Sequence, residues 1–261
     1  PPSTPPLPPL PPLSPGYVAA ESEDQLRNLI EEPTSADVSV YLPPSAHFKL
    51  SSQISCTSTI KVTVASSGEG ATLDGKRETR LFYLSGGCSL TLRGLTLVNG
   101  RADSGGVVLA NGAGDVEIIE SVVRDCSAVG SWPEGNGGVV YAWYSGAVSI
   151  TRSDVSGCSA GNNGGVVRTQ NSGAVSITGS TVSGCSARWG GVVYAFRSGA
   201  VSIIGSAVSG CSADNGGVVR TQNSGAVSIT GSTVSSCSAG RAGGATYTRN
   251  SDLNVTDSTI S

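Results

Sequence analysis

Carboxylates are the side chains of this sequence that could carry catalysis, and their spacing limits what they could do. Asp115, Glu117 and Glu120, followed by Arg124 and Asp125, form the best catalytic candidate by elimination. Hydrolysis of a glycosidic bond requires two carboxyl groups at a set separation, and a Ca²⁺ site requires several oxygen ligands. From residue 137 onward the acids are few and scattered: Asp154, Asp214, Asp252 and Asp257. Because near-identical repeats offer no single asymmetric constellation, we predict that the chain is not an enzyme and uses no cofactor.

The cysteines fall into two groups. Five share one repeat position and are expected to form a column along one corner of the fold: Cys126, Cys158, Cys185, Cys211 and Cys237. With neighbouring Cα atoms about 4.8 Å apart, this column could consist of buried thiols or of disulfides. Aligning Ile60 with Leu90 places Cys56 and Cys88 on neighbouring coils, where we expect a disulfide. There is no CxxC motif and one histidine, His47, so no metal site is predicted.

A repeat of 26–27 residues organises most of the chain. Gly-Gly pairs open at positions 105, 137, 164, 190, 216 and 243, and the segment 164–178 returns unchanged at 216–230. Such periods indicate a stacked array. Each repeat contains three short β-type runs, which in the second copy are 139–143, 147–151 and 154–160. The middle run includes Val148-Ser149-Ile150-Thr151, which alternates apolar and polar residues. We therefore predict a three-sided coil whose apolar residues stack in a continuous column.

Two columns of larger side chains are predicted on the outside of this coil. One contains Tyr141, Arg168, Tyr194, Arg220 and Tyr247, and the next contains Trp143, Gln170, Phe196 and Gln222. Guanidinium groups stacked on rings could simply stabilise the face. Tyr, Trp and Arg are also concentrated at interfaces, so the columns could bind sugar rings or a neighbouring subunit. We predict a binding or assembly surface here.

A third outward face carries hydroxyl pairs. Ser149 with Thr151 and Ser176 with Thr178 resemble the Thr-rich surfaces of ice-binding proteins, but Ile204 interrupts the pattern and ordinary strand propensity explains it. The sequence Asn254-Val255-Thr256 is an N-glycosylation sequon.

The first 36 residues differ from the repeats. Residues 1–16 hold nine of the 13 prolines, which predicts a polyproline II segment with Leu7, Leu10 and Leu13 along one face. The segment resembles hydroxyproline-rich extracellular glycoproteins of algae and plants. That resemblance implies hydroxylation or O-glycosylation at Pro2, Ser3, Thr4, Pro6, Pro9 and Pro12. Within 17–36, the capping box at Ser22 predicts a short amphipathic helix that covers the end of the coil, with a solvated acidic face.

From about residue 37 to residue 261 the sequence resembles the right-handed parallel β-helices of the pectin-lyase-like superfamily. The runs that carry the resemblance are 60–64, 70–75, 81–84 and 89–92, ahead of the strict repeats. The resemblance implies an all-β, right-handed parallel β-helix with three strands per coil. It also makes a polysaccharide lyase or hydrolase the least favoured of three candidate functions, because no motif of those enzymes maps onto the acidic residues.

The composition argues against two further classes of function, nucleic-acid binding and membrane insertion. The net charge is −3 with no basic cluster, which argues against nucleic acid, and no run approaches the ~18 apolar residues of a membrane span. No Met or signal peptide begins the chain, and we expect a mature or fragmentary product. We predict an extracellular structural glycoprotein at the cell surface that self-assembles into a homo-oligomer or filament, its proline-rich segment docking on a neighbouring subunit. A monomeric glycan- or ice-binding module is the alternative.

Overall fold

Parallel strands stacked coil upon coil build most of the described part of the molecule. The structure is a computed structural model, and it describes residues 16–131 and 133–261. These residues form an all-β parallel solenoid of about nine turns with one short helix, as expected of a right-handed parallel β-helix. The fold predicted from the repeat is therefore confirmed. Within the described residues, no helix is long and apolar enough to cross a membrane.

The strands line up in four sheets that run along the solenoid. The ten-stranded sheet contains Val18–Ala19, Asp37–Tyr41, Lys61–Ala65, Ser89–Arg93, Val116–Ile119, Val148–Thr151, Val175–Thr178, Val201–Ile204, Val227–Thr230 and Leu253–Thr256. The nine-stranded sheet contains His47–Lys49, Ala71–Asp74, Leu95–Val98, Val122–Arg124, Asp154–Ser156, Thr181–Ser183, Ala207–Ser209, Thr233–Ser235 and Thr259–Ile260. The eight-stranded sheet contains Ile54–Cys56, Phe82–Ser85, Val108–Asn111, Val140–Trp143, Val167–Gln170, Val193–Phe196, Val219–Gln222 and Thr246–Arg249. The six-stranded sheet contains Arg101–Ala102, Ser127–Ala128, Ser159–Asn163, Ser186–Trp189, Ser212–Asn215 and Ser238–Ala242.

The six-stranded sheet refines the expected three-strand coil. The segment 154–160, predicted as one strand, is divided into Asp154–Ser156 and Ser159–Asn163. Gly157 lies between them with φ +61°, a left-handed conformation that glycine adopts without a Cβ clash. The chain therefore turns a corner here, and each regular coil has a fourth short strand.

The core is a column of small and branched apolar side chains. Val148 and Ile150 are at most 1% exposed, and Val155 on the adjoining sheet is 1% exposed. Buried serines satisfy the backbone at the corner between these two sheets. For example, Ser180 Oγ donates to the carbonyl of Thr178 at 2.9 Å and accepts from the amide of Ser153 at 3.1 Å. Each coil thus supplies both the apolar contact and the polar partner that the next coil needs.

The helix α1, Glu23–Glu31, covers the end of the core. Ser22 is its N-cap and accepts a hydrogen bond from the amide of Gln25, and Gln25 in turn accepts from the amide of Glu21 at 2.7 Å. Leu26 and Ile30 face the core and are at most 1% exposed. The capping box and the apolar spacing therefore position α1 as a lid on the first coil.

Candidate interaction surface: the arginine–aromatic ladder

The outer face of the eight-stranded sheet stacks arginine and aromatic side chains in register. We call the column Tyr141, Arg168, Tyr194, Arg220 and Tyr247 the ladder. Each member is the direct Cα partner of the next in the parallel pairing. Strand alternation turns their side chains outward, while neighbours such as Ala142 and Ala195 are fully buried in the core. The structure thus brings these sequence-predicted residues together.

Arg168 is buried although it lies on the outer face. Its guanidinium lies 4.2 Å from the ring centroid of Tyr194 and 5.8 Å from that of Phe196, and the side chain is 5% exposed. It donates to the carbonyls of Thr169 and Tyr194 and to Gln170 Oε1. Burial lowers its pKa to about 10, so it remains a cation at neutral pH. No ion pair with a carboxylate offsets this burial within the described residues.

Arg220 occupies the same repeat position in a different environment. Its guanidinium lies 4.4 Å from the ring of Trp189, 5.3 Å from that of Tyr194 and 5.2 Å from that of Tyr247. Within the part of the chain that is described, Arg220 makes no side-chain hydrogen bond, and its Nε, like that of Arg168, is buried without a partner. We call Arg220 with these three rings the Arg220 cage.

Trp189 is the member of this cage that sequence reasoning missed. It ends a strand of the six-stranded sheet and is in register with Asn163 and Asn215 on the coils before and after. The signal was present in the sequence, because a tryptophan replaces asparagine at one repeat position just before Gly190. Its ring packs edge-on against Tyr194 at 6.2 Å between centroids.

Exposed side chains surround the ladder. Trp143 and the adjoining turn residue Tyr144 are 39% and 61% exposed, with ring centroids 5.4 Å apart. Arg197 and Arg249 are exposed, and Arg197 stacks on Phe196 at 5.1 Å. None of the eight strands of this sheet contains a carboxylate. The face therefore presents aromatic surface together with uncompensated positive charge.

The opposite charge is concentrated at the helical cap. Residues 21–37 contain six carboxylates and one arginine, whereas residues 164–261 contain six arginines and three aspartates. Arg27 pairs with Glu23 at 2.9 Å and with Glu31 at 2.8 Å. Four further acids of this segment are exposed and form no ion pair with any described residue: Glu21, Asp24 and Glu32 at the cap, and Asp37 on the strand that follows.

The cysteines occupy two environments. Cys56 and Cys88 form a disulfide on neighbouring coils of the solenoid. The other five are free thiols along one corner, and four of them are fully buried, Cys237 being half-buried. Hydrogen bonding to Cys185 and, to a smaller extent, burial raise the pKa of Cys211 to about 12. The pKa of Cys158 is raised in the same way, through a hydrogen bond to the Cys126 thiol and through burial. The thiols of Cys158 and Cys211 therefore stay protonated at neutral pH.

The fold keeps Asp115 and Glu117 together and separates them from the other catalytic candidates. Asp115 accepts from the amide of Ala147 at 2.7 Å, and Glu120 pairs with Arg152 at 2.7 Å, so both are engaged structurally. Arg124 lies on the nine-stranded sheet, on another face from Glu117. Asp115 and Glu117 line a shallow depression of about 240 Å³ together with Lys61, Thr63, Ser89 and Thr91. Within residues 16–131 and 133–261, no three His, Cys, Asp or Glu side chains gather as a metal site.

The other predicted residues lie apart from the ladder. Ser176 and Thr178 face outward on the ten-stranded sheet with their hydroxyl oxygens 3.1 Å apart, and Asn254 is exposed on the same sheet. The predictions for Leu7, Leu10 and Leu13 lie outside the described residues. So do those for Pro2, Ser3, Thr4, Pro6, Pro9 and Pro12.

No family model and no curated protein matches the chain. It is similar to the solved alginate lyase from Paenibacillus sp. str. FPU-7, with 14% identity over 93% of this chain and 99% of that chain and a TM-score of 0.44. It is also similar to the A-module of the mannuronan C-5 epimerase AlgE4 from Azotobacter vinelandii, with 14% identity over 94% and 86% of the two chains and a TM-score of 0.36. Both neighbours are enzymes, which contradicts the prediction that this chain is not an enzyme, because a repetitive solenoid does not by itself exclude catalysis. At such identities the likeness concerns the fold alone and assigns no activity.

Proposed function

We propose that the protein is a structural rod of the extracellular surface whose copies associate through the ladder face. The observation that carries the proposal is the Arg220 cage, in which a guanidinium held by three rings has no acceptor within the described residues. Aromatic and arginine side chains are the residues that most often dominate protein interfaces. The exposed pair Trp143 and Tyr144 extends this surface. The rigid stacking of parallel coils would hold these groups in a fixed row.

An extracellular location is part of the proposal. The disulfide between Cys56 and Cys88 supports it, because disulfides persist in oxidising compartments. Asn254 would carry an N-linked glycan on an exposed strand, and the prolines of residues 1–16 would be hydroxylated and glycosylated or would dock on a neighbouring copy.

Sedimentation velocity over a hundredfold concentration range tests the association. We expect the full chain to form larger species as concentration rises, and a variant with Trp143→Ser and Tyr144→Ser to remain a single copy at concentrations where the unaltered chain associates. The matched control is Ile204→Thr, which removes an apolar residue that is 43% exposed on the ten-stranded sheet. A chain that lacks residues 1–16 shows whether the proline-rich segment contributes.

The competing use of the same face is saccharide binding. If the full chain stays a single copy at all concentrations, yet sediments with insoluble polysaccharides and loses this binding in the Trp143→Ser, Tyr144→Ser variant, self-association is wrong and the ladder is a glycan site.

A further inference from the structure

We infer that the Arg220 cage and its exposed neighbours receive the acidic cap of a second copy, so that copies join cap to ladder. This inference rests on the proposed function and names the partner surface of the same site.

Arg220 is placed for an external acceptor. Arg168, which lies in an identical sequence segment, donates to three oxygens of its own chain, whereas Arg220 has none within the described residues. A guanidinium carries five N–H donors in a fixed fork that matches a carboxylate. Because Trp189, Tyr194 and Tyr247 hold the Arg220 side chain in place, little conformational freedom is lost when an acceptor arrives.

The chain supplies matching carboxylates on its cap. Glu21, Asp24 and Glu32 are exposed and without ion pairs in the described part. Arg27 is occupied by Glu23 and Glu31 and by the carbonyls of Ser52 and Gln53, so it does not neutralise them. An acidic cap and an acid-free arginine face on the same rod are complementary in charge, which favours encounter between copies.

Such a contact joins two different surfaces, the cap of one copy and the ladder of the next. A copy whose ladder is occupied still presents a free cap, and a copy whose cap is occupied still presents a free ladder. Contacts between two different surfaces propagate unless a rotation closes them into a ring, whereas a contact of ladder with ladder would stop at a pair. The inference therefore predicts extended series of copies.

Charge reversal on each surface tests this arrangement. The ladder-reversed variant carries Arg197→Glu and Arg249→Glu, and the cap-reversed variant carries Glu21→Lys, Asp24→Lys and Glu32→Lys. All five positions are exposed, and circular dichroism checks that each variant folds. The matched control is Arg101→Glu with Arg124→Glu, two exposed arginines on other sheets. Species length is read by electron microscopy and mass photometry.

We expect each reversed variant alone to lose extended species, because its two surfaces then repel. An equimolar mixture is expected to restore them, since each ladder again meets a cap of opposite charge. Arg220→Gln should weaken association about tenfold or more, as for the loss of a hydrogen bond to a charged group.

Cap-reversed copies that assemble like the unaltered chain overturn the inference but leave association through the ladder standing. A mixture that yields only closed pairs also overturns it. If the unaltered chain never associates, the proposed function fails and the inference fails with it.

Discussion

Arg168 and Arg220 occupy the same position in two identical sequence segments, yet they have different partners. Arg168 is 5% exposed and donates to three oxygens, while Arg220 is half-buried between three rings and donates to no described residue. The difference comes from the neighbouring coils. Both arginines lie between tyrosines of the flanking coils, and Arg220 has in addition the ring of Trp189 at 4.4 Å.

Truncation should therefore cost more stability at Arg168 than at Arg220. We expect Arg168→Ala to lower the free energy of unfolding by about 2–4 kcal/mol, because it empties a buried site and removes three hydrogen bonds. Arg220→Ala should cost about 1 kcal/mol through lost stacking. Urea unfolding of both variants measures the difference. Equal losses of unfolding free energy in the two variants would contradict the conclusion that Arg168 and Arg220 have different environments.

Loss of the disulfide should destabilise the first coils. Cys56 and Cys88 are separated by 32 residues, and closing a loop of this size restricts the unfolded chain by about 3–4 kcal/mol. We expect the Cys56→Ser, Cys88→Ser variant to lose that amount and to exchange amide hydrogens faster around these coils. The control is Cys185→Ser, which alters a thiol but no cross-link. Unchanged exchange in the first coils would argue against a stabilising disulfide.

The thiol column should make stability fall at alkaline pH. The pKa values of Cys158 and Cys211 are raised in the folded state, mainly by hydrogen bonding to the neighbouring thiol and to a smaller extent by burial. The unfolded chain therefore loses these protons first, so the stability they contribute is complete below about pH 8.5 and declines as the pH rises toward 12. Thermal unfolding between pH 7 and 11 measures the slope. A variant with alanine at Cys158, Cys185 and Cys211 should show a shallower decline, and an unchanged slope would exclude the column as the cause.

The cap helix should control the opening of the first coil. Leu26 is fully buried, so Leu26→Ala should cost about 2–5 kcal/mol, while Ser22→Ala removes the N-cap and should cost about 1 kcal/mol. Limited proteolysis near α1 reports this opening. Asp24→Ala, an exposed change on the same helix, is the control, and equal proteolysis of Asp24→Ala and Leu26→Ala would contradict the packing role.

Much of the solenoid could be predicted from the sequence because its repeat sets the register. The alternation in Val148-Ser149-Ile150-Thr151 identifies the buried face, and the box at Ser22 locates the helix. The corner at Gly157 was missed, since the residues on both sides of it have strand propensity. A single strand and two short strands are indistinguishable there from residue types alone.

The candidate surface could be predicted only in part. The column from Tyr141 to Tyr247 follows from the repeat, whereas the role of Trp189 does not, because it belongs to a different sheet. Identical local sequence also gives no means to separate Arg168 from Arg220. Their burial and hydrogen bonding depend on side chains of the coils above and below.

Association of copies through the ladder is tested most directly by electron microscopy of the full chain at low and high salt. About nine turns at 4.8 Å per turn give a single rod about 43 Å long. We predict species several times this length at 50 mM NaCl that shorten at 500 mM, because screening weakens contacts between exposed charges. Rods of the single length at every salt and protein concentration would contradict the account.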